Sequence, residues 1–280
     1  MKKQQLILLS GGLVLLVLLY FFGNTTPTTN LKANTTKDTA EGTTATITSV
    51  LEAAKKKLTP SQSETIAQLE NSVVRGNVKE QQIHVYKQMA LYWQDTLQRP
   101  DIGAYYLGES AKLENSEKSL SFAARLLLNQ LMAETDPAMM NWLATNAKAL
   151  FEKVLQINPG NDSAKVELGA CYIFGNISSS PMEGISKIKE VADKDANNMY
   201  AQLMLGLGDI RSQQYDKAIE RLGIVAEKEP RNLQALFNLA ETYERKGDKQ
   251  NAIKWYKRVE SMINLPEAKQ EIENRINSLQ

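Results

Sequence analysis

The architecture is decided by residues 199–266, MYAQLMLGLGDIRSQQYDKAIERLGIVAEKEPRNLQALFNLAETYERKGDKQNAIKWYKRVESMINLP. At an offset of 34 residues this run matches itself. Leu205-Gly206 falls on Leu239-Ala240, Ala218 on Ala252, and Leu222 on Tyr256. A fixed period of this length marks a repeat architecture with one supersecondary unit per period. The small residues Gly206, Ala218, Ala240 and Ala252 let two helices approach closely, and Leu222 and Tyr256 fill the space between pairs. No single pair buries its apolar face, so several must stack.

The same signature extends toward the N-terminus. Leu168-Gly169-Ala170-Cys171-Tyr172 repeats the pattern of Leu239-Ala240-Glu241-Thr242-Tyr243. An alanine four residues before a large side chain recurs at Ala147/Phe151, Ala218/Leu222 and Ala252/Tyr256, and Pro159 and Pro230 each fall 12 residues after the alanine. On these residues the chain resembles the tetratricopeptide repeat proteins, from about Glu80 to Gln280. The resemblance implies an all-α fold: antiparallel helix pairs stacked into a right-handed superhelix with a concave groove.

Five repeats are expected, at 80–115, 116–161, 162–198, 199–232 and 233–266, followed by a capping helix over 267–280 that Pro266 leads in. In the first repeat, Met89-Ala90 and Trp93 stand for the leucine-small-tyrosine pattern, with Ala104 and Ala111 on its second helix. The second is 12 residues longer than the period, with the excess near Thr135 to Asn146, where Met139, Met140 and Trp142 lie. The third carries about three extra residues between Asn176 and Pro181. Residues 47–79 are expected to form N-terminal helices. Ile47, Val50, Leu51, Ala54 and Leu58 share one helical face, and Thr59-Pro60 ends that segment. Ser61-Gln62-Ser63-Glu64 then reads as the capping box of a second helix carrying Ile66, Leu69, Val73 and Val74.

Residues 1–23 read as an N-terminal transmembrane anchor. From Leu6 to Phe22 no charge interrupts 17 residues, a helix of roughly 25 Å, near the lower limit for crossing a bilayer. Lys2 and Lys3 precede it, and the positive-inside bias keeps the N-terminus cytoplasmic and sends the rest across. Tyr20-Phe21-Phe22 places aromatics where a cleavage site needs small residues, so an uncleaved anchor is favoured over a cleaved signal. Residues 24–46 then form a flexible tether. Thr fills 11 of the 25 positions from Asn24 to Thr48, too polar to offset ordering entropy. Its coil reach is roughly 25–30 Å. The expected location is a single-pass cytoplasmic (inner) membrane protein of a bacterial envelope, with its repeat domain on the periplasmic side.

Composition narrows the function. With 33 Lys+Arg against 32 Asp+Glu the net charge is +1, which offers no attraction for nucleic acid. One His and one Cys fall short of a zinc site's three or four N/S ligands and of any intrachain disulfide. His84 has no nucleophile signature beside it and reads as solvated or groove-lining. Cys171 sits next to a core Tyr and reads as packing. No phosphate-cradling glycine loop occurs, no catalytic residue or cofactor is expected, and the protein reads as a non-enzyme. The Lys55-Lys56-Lys57 run reads as a solvated last helical turn.

The resemblance puts function in the groove. Mapped onto this chain, the concave positions include Val166, Ala170 and Phe174 of the third repeat, Tyr200, Leu203, Leu207 and Arg211 of the fourth, and Phe237, Asn238 and Glu241 of the fifth. Asn238 takes the place where many peptide-binding members hold a ligand backbone. The Val166/Ala170 and Leu203/Leu207 pairs depart from the Lys and Asn of the carboxylate-clamp pattern. The expected role is a membrane-anchored scaffold or adaptor, holdase-like for envelope proteins, that takes a protein or peptide segment in an apolar groove. The alternative is a homo-oligomeric structural module whose groove is filled by its own chain or by another copy.

Overall fold

The computed structural model describes residues 45–75, 78–177 and 181–280. The apolar run 6–22 and the tether up to residue 44 lie outside the described residues. No described helix is long and apolar enough to cross a membrane. Among the described residues there are thirteen α-helices and no strand.

The first two are α1 (Ile47–Lys55) and α2 (Pro60–Arg75). Val50 and Ala54 of α1 are buried, and Lys55 pairs with Glu70 of α2 at 2.6 Å. The capping box of α2 lies two residues earlier than the sequence suggests. The Thr59 N–H donates to Gln62 Oε1 at 2.9 Å, and the Gln62 N–H donates to Thr59 Oγ1 at 3.3 Å. Pro60 explains the offset, because a residue without an N–H suits the first helical position, which makes Thr59 rather than Ser61 the cap.

Five helix pairs follow: α3 (Lys79–Leu91) with α4 (Pro100–Glu114), α5 (Glu117–Ala133) with α6 (Pro137–Ile157), α7 (Asp162–Phe174) with α8 (Met182–Lys194), α9 (Met199–Arg211) with α10 (Tyr215–Lys228), and α11 (Leu233–Lys246) with α12 (Lys249–Glu260). A π-helical turn, Tyr92–Thr96, continues α3. Successive pairs join through α4/α5, α6/α7, α8/α9 and α10/α11, and α13 (Pro266–Leu279) closes on α12. Each helix packs only on near neighbours in sequence, which is the organisation of a solenoid.

Recurrent caps set where the pairs begin. Asn161, Asn198 and Asn232 each accept a hydrogen bond from the N–H of an alanine three residues on, Ala164, Ala201 and Ala235, at 2.9–3.0 Å. The carboxamide satisfies one of the N–H groups that a helix start leaves unpaired, and the alanine, fully buried in each case, admits the neighbouring helix. The long second unit has no inserted loop. Its helices run 17 and 21 residues against 13 and 13 in the next pair, so the extra sequence adds helical turns. Asp136 caps α6 by accepting from the Met139 N–H at 2.8 Å, with Pro137 at the first position.

Within pairs, backbones meet at glycine. A Cβ on Gly169 of α7 would lie 2.5 Å from Ile188 Cγ1 and 2.7 Å from the Gly184 carbonyl of α8. On Gly206 of α9 it would lie 2.9 Å from Leu222 of α10. Large side chains fill what remains: Trp93, Phe151 and Tyr256 are fully buried.

Candidate binding cleft

The first helices of the third and fourth pairs have almost no free surface. α7 packs against α5, α6, α8 and α9, and α9 against α7, α8, α10 and α11. At their C-terminal ends the packing opens. There a cleft of about 250 Å³ lies among the ends of α5, α7, α9 and α11 and the start of α6. Leu131, Met132, Met140, Phe174, Leu207 and Ile210 give it apolar walls, and Glu134, Arg211, Asn238, Glu241 and Arg245 give it polar ones.

The polar groups differ in how far they are satisfied. Arg245 reaches Glu241 one turn back at 3.1 Å, and Arg275 of α13 approaches the same carboxylate at 3.5 Å. Glu134 is turned to its own backbone, accepting from the Thr135 and Asp136 N–H groups at 2.7 and 2.9 Å. The Asn238 carboxamide donates to the Gln234 carbonyl at 2.8 Å. Arg211 is exposed and donates to the Asn176 carboxamide oxygen at 2.8 Å. Among the described residues it makes no ion pair, and the Glu134 carboxylate on the same cleft likewise has no cationic partner.

Phe174, Leu207, Arg211, Asn238 and Glu241 therefore come together in one cleft. The other groove positions lie elsewhere. Val166 and Ala170 are fully buried and Leu203 is 4% exposed, because the small residues of α7 and α9 draw the neighbouring pairs over them. Phe237 packs its ring edge-to-face on Tyr256 at 5.9 Å. Tyr200 lies beside Arg125 and Glu167, and burial pushes its phenol well above the ordinary range. Leu131, Met132, Glu134 and Met140 come from the long second unit, whose extra helical turns reach the cleft. The Met139-Met140-Trp142 cluster is the sequence signal for them. It divides in the structure: Met140 lines the cleft, while Trp142 is buried with its ring 5.8 Å from that of Tyr105.

One buried charge lies deeper between pairs. Glu167 is 4% exposed and accepts from Arg125 Nε at 2.5 Å, while its second oxygen is buried without a hydrogen-bond partner among the described residues. Burial pushes its carboxyl above the usual carboxylate range, and the Arg125 guanidinium pulls part of the way back. Cys171 is fully buried, and burial raises its thiol far from the reactive range. His84 is exposed on α3. Among the described residues, no group of three His, Cys, Asp or Glu side chains could hold a metal ion.

The stacked pairs define the class first: an α-solenoid of helical hairpins. Residues 203–267 match the family model of the tetratricopeptide repeat. This segment is thus similar to the tetratricopeptide repeat, and the helical pairs before it continue the same stacking. Similar solved structures include MamA (residues 41 to the end) from Desulfovibrio magneticus RS-1, 20% identical over 64% of this chain and 94% of that one, with a TM-score of 0.42. PilW, a widely conserved type IV pilus biogenesis factor, is 16% identical over 70% of this chain and 92% of its own, with a TM-score of 0.48. YrrB, described as a repeat protein with an unusual peptide-binding site, is 14% identical over 74% and 97%, with a TM-score of 0.41. No curated protein matches the chain in sequence.

Proposed function

We propose that the protein is a membrane-anchored adaptor that captures an apolar segment of a partner protein in the cleft between α5, α7, α9 and α11. The observation that carries this reading is the pairing of apolar walls with the exposed, ion-pair-free Arg211 at the mouth. An apolar side chain of the partner would bury against Phe174, Leu207 and Met140, and a carboxylate beside it would meet Arg211. Charge-assisted hydrogen bonds of that kind are about twice as strong as neutral ones. The site needs no chemistry, only complementarity on a rigid stack of helices.

The sequence supports the setting. The apolar run 6–22 would fix the chain in the cytoplasmic membrane, and the Thr-rich tether would hold the repeats within roughly 25–30 Å of it. By the positive-inside bias, the two lysines before the run would send the repeats to the far side. Tethering raises the local concentration of the cleft toward partners that emerge at the membrane, which suits an adaptor or a holdase for envelope proteins. The test is capture by full-length protein in native membranes, compared with Arg211→Glu and Met132→Asp. Both positions are exposed, so the fold is expected to survive. Loss of the same partner in both variants supports the reading, and undiminished capture refutes it.

A further inference from the structure

The second helix of the last pair, α12, is one-sided in charge. It carries Lys249, Lys254, Lys257 and Arg258 against a single acid, Glu260. Glu260 lies 3.8 Å from Lys269 of α13, and none of the four cations makes an ion pair among the described residues. The second helices of the three preceding pairs mix the two signs and pair some of them. Lys148 meets Glu152 within α6 at 2.9 Å, Lys187 meets Glu183 within α8 at 3.6 Å, and Arg221 of α10 meets Asp209 of α9 at 3.1 Å. Acids that border α12 are engaged elsewhere. Asp248 accepts from the Asn251 N–H and carboxamide at 3.1 and 2.7 Å, Glu229 from the Asn232 carboxamide at 2.8 Å, and Glu244 from Arg275 at 2.9 Å. With a net charge of +1 over the whole chain, the excess is local to this helix.

The cations share a face. Gln250, Lys254, Lys257 and Ser261 are exposed and follow one another at steps of three and four residues, opposite the buried Ala252, Tyr256 and Val259. Trp255 flanks that face half-buried, with Lys254 Nζ 5.8 Å and Arg258 Cζ 5.5 Å from its ring centroid. Arg258 also donates to the Pro230 carbonyl at 3.4 Å, which sets the C-terminal end of α12 beside the start of α11. Two exposed large apolar side chains lie at that same end, Leu233 at 42% and Leu265 at 71%. Unpaired cations attract any anionic surface. A tryptophan and exposed leucines among them suit the anionic surface that has an apolar layer beneath its charge, a phospholipid bilayer.

We propose that the outer face of α12 docks on a bilayer of anionic phospholipid. Lys254, Lys257 and Arg258 would meet the lipid phosphates, and Trp255, Leu233 and Leu265 would sit at head-group depth. This contact adds to the anchor proposed for residues 6–22 and does not depend on it. The face shares no residue with the cleft at the ends of α7 and α9, so a docked chain keeps that cleft for its partner.

The experiment uses full-length protein in vesicles of phosphatidylcholine, with and without phosphatidylglycerol. A nitrobenzoxadiazole fluorophore is attached at Ser261→Cys on the outer face of α12 or, as a control, at exposed Gln88→Cys on α3; the native Cys171 is buried and does not compete. Retention on phosphatidylcholine vesicles reports the anchor, and the difference between the two lipids reports α12. The expected result is a rise and blue shift at position 261 with phosphatidylglycerol alone, quenched by spin-labelled lipid and absent at position 88. Each basic side chain contributes about fivefold near an anionic bilayer, so Lys254→Gln with Lys257→Gln should weaken docking about thirtyfold. Added salt should weaken it as well. Equal signals at position 261 in the two lipids, or a signal unchanged in the double variant, would overturn the proposal. So would a signal that needs an acidic protein in place of anionic lipid.

Discussion

Gly169→Ala and Gly223→Ala are the same chemical change in the middle of two helices, and they should move stability in opposite directions. In a helix interior, Gly to Ala alone gains about 1 kcal/mol. At Gly223 on α10 a new Cβ would meet nothing within 4 Å, so most of that gain should appear. At Gly169 it would sit 2.5 Å from Ile188 Cγ1 and 2.7 Å from the Gly184 carbonyl oxygen. Carbon atoms prefer about 3.5–4.0 Å, so the first overlap approaches about 1 Å. Neither neighbour can yield cheaply, because Ile188 is fully buried and the other atom is backbone. α7 and α8 must move apart, and overpacking of this kind costs about 1–3 kcal/mol. The fixed backbone atom puts the cost toward the upper end, leaving a net loss of about 1–2 kcal/mol after the propensity gain. Thermal and urea melts followed by circular dichroism read both variants. At about 2–4 °C per kcal/mol for a domain of this size, Gly169→Ala should melt lower and Gly223→Ala slightly higher than the parent. Equal stability of the two variants would refute the close-approach account of the pairs.

Three further outcomes follow from particular contacts. Arg125→Ala leaves Glu167 buried without its cation, at a cost of about 1–3 kcal/mol. Because burial already raises the Glu167 carboxyl, the folded chain holds that proton more tightly than the unfolded chain, so stability falls as pH rises through the raised range. Removing Arg125 raises it further, and urea melts should show a larger loss at about pH 8 than at about pH 5; a pH-independent loss would contradict this. Asn198→Ala removes the cap of α9 and should cost about 1 kcal/mol in the same melts. Arg275→Ala breaks contacts to Glu244 at 2.9 Å and Glu241 at 3.5 Å and uncovers the Tyr256 ring; amide exchange should quicken in α13 and α12 and stay unchanged in α3 and α4.

Much of the fold lies open in the sequence, because a repeat states its packing more than once. The 34-residue offset between Ala218 and Ala252 places both on the buried face of a second helix, and both are fully buried. Position in a repeat says less about which side chains reach solvent. Val166, Ala170 and Leu203 occupy groove positions in the pattern, yet the glycine- and alanine-rich faces of α7 and α9 bring neighbouring pairs close enough to cover them. The wall formed by Leu131, Met132 and Met140 follows from helix length in one irregular unit, which no other repeat reports. The capping box at Thr59 was hidden by an equally good pattern two residues on, and only the position of Pro60 separates the two. Orphaned donors such as Trp93 Nε1 leave no mark in the sequence, since they arise from how distant segments pack.

The central claim is that the cleft at the ends of α7 and α9 holds the partner. A photocrosslinking side chain placed at Met132, 38% exposed and on the cleft wall, tests it most directly when compared in native membranes with the same group at exposed Gln250 on α12. The account predicts a discrete adduct with another protein from position 132, absent from position 250 and lost when Arg211→Glu is added. Adducts of equal yield from both positions, or an adduct from position 132 that persists with Arg211→Glu, would contradict it.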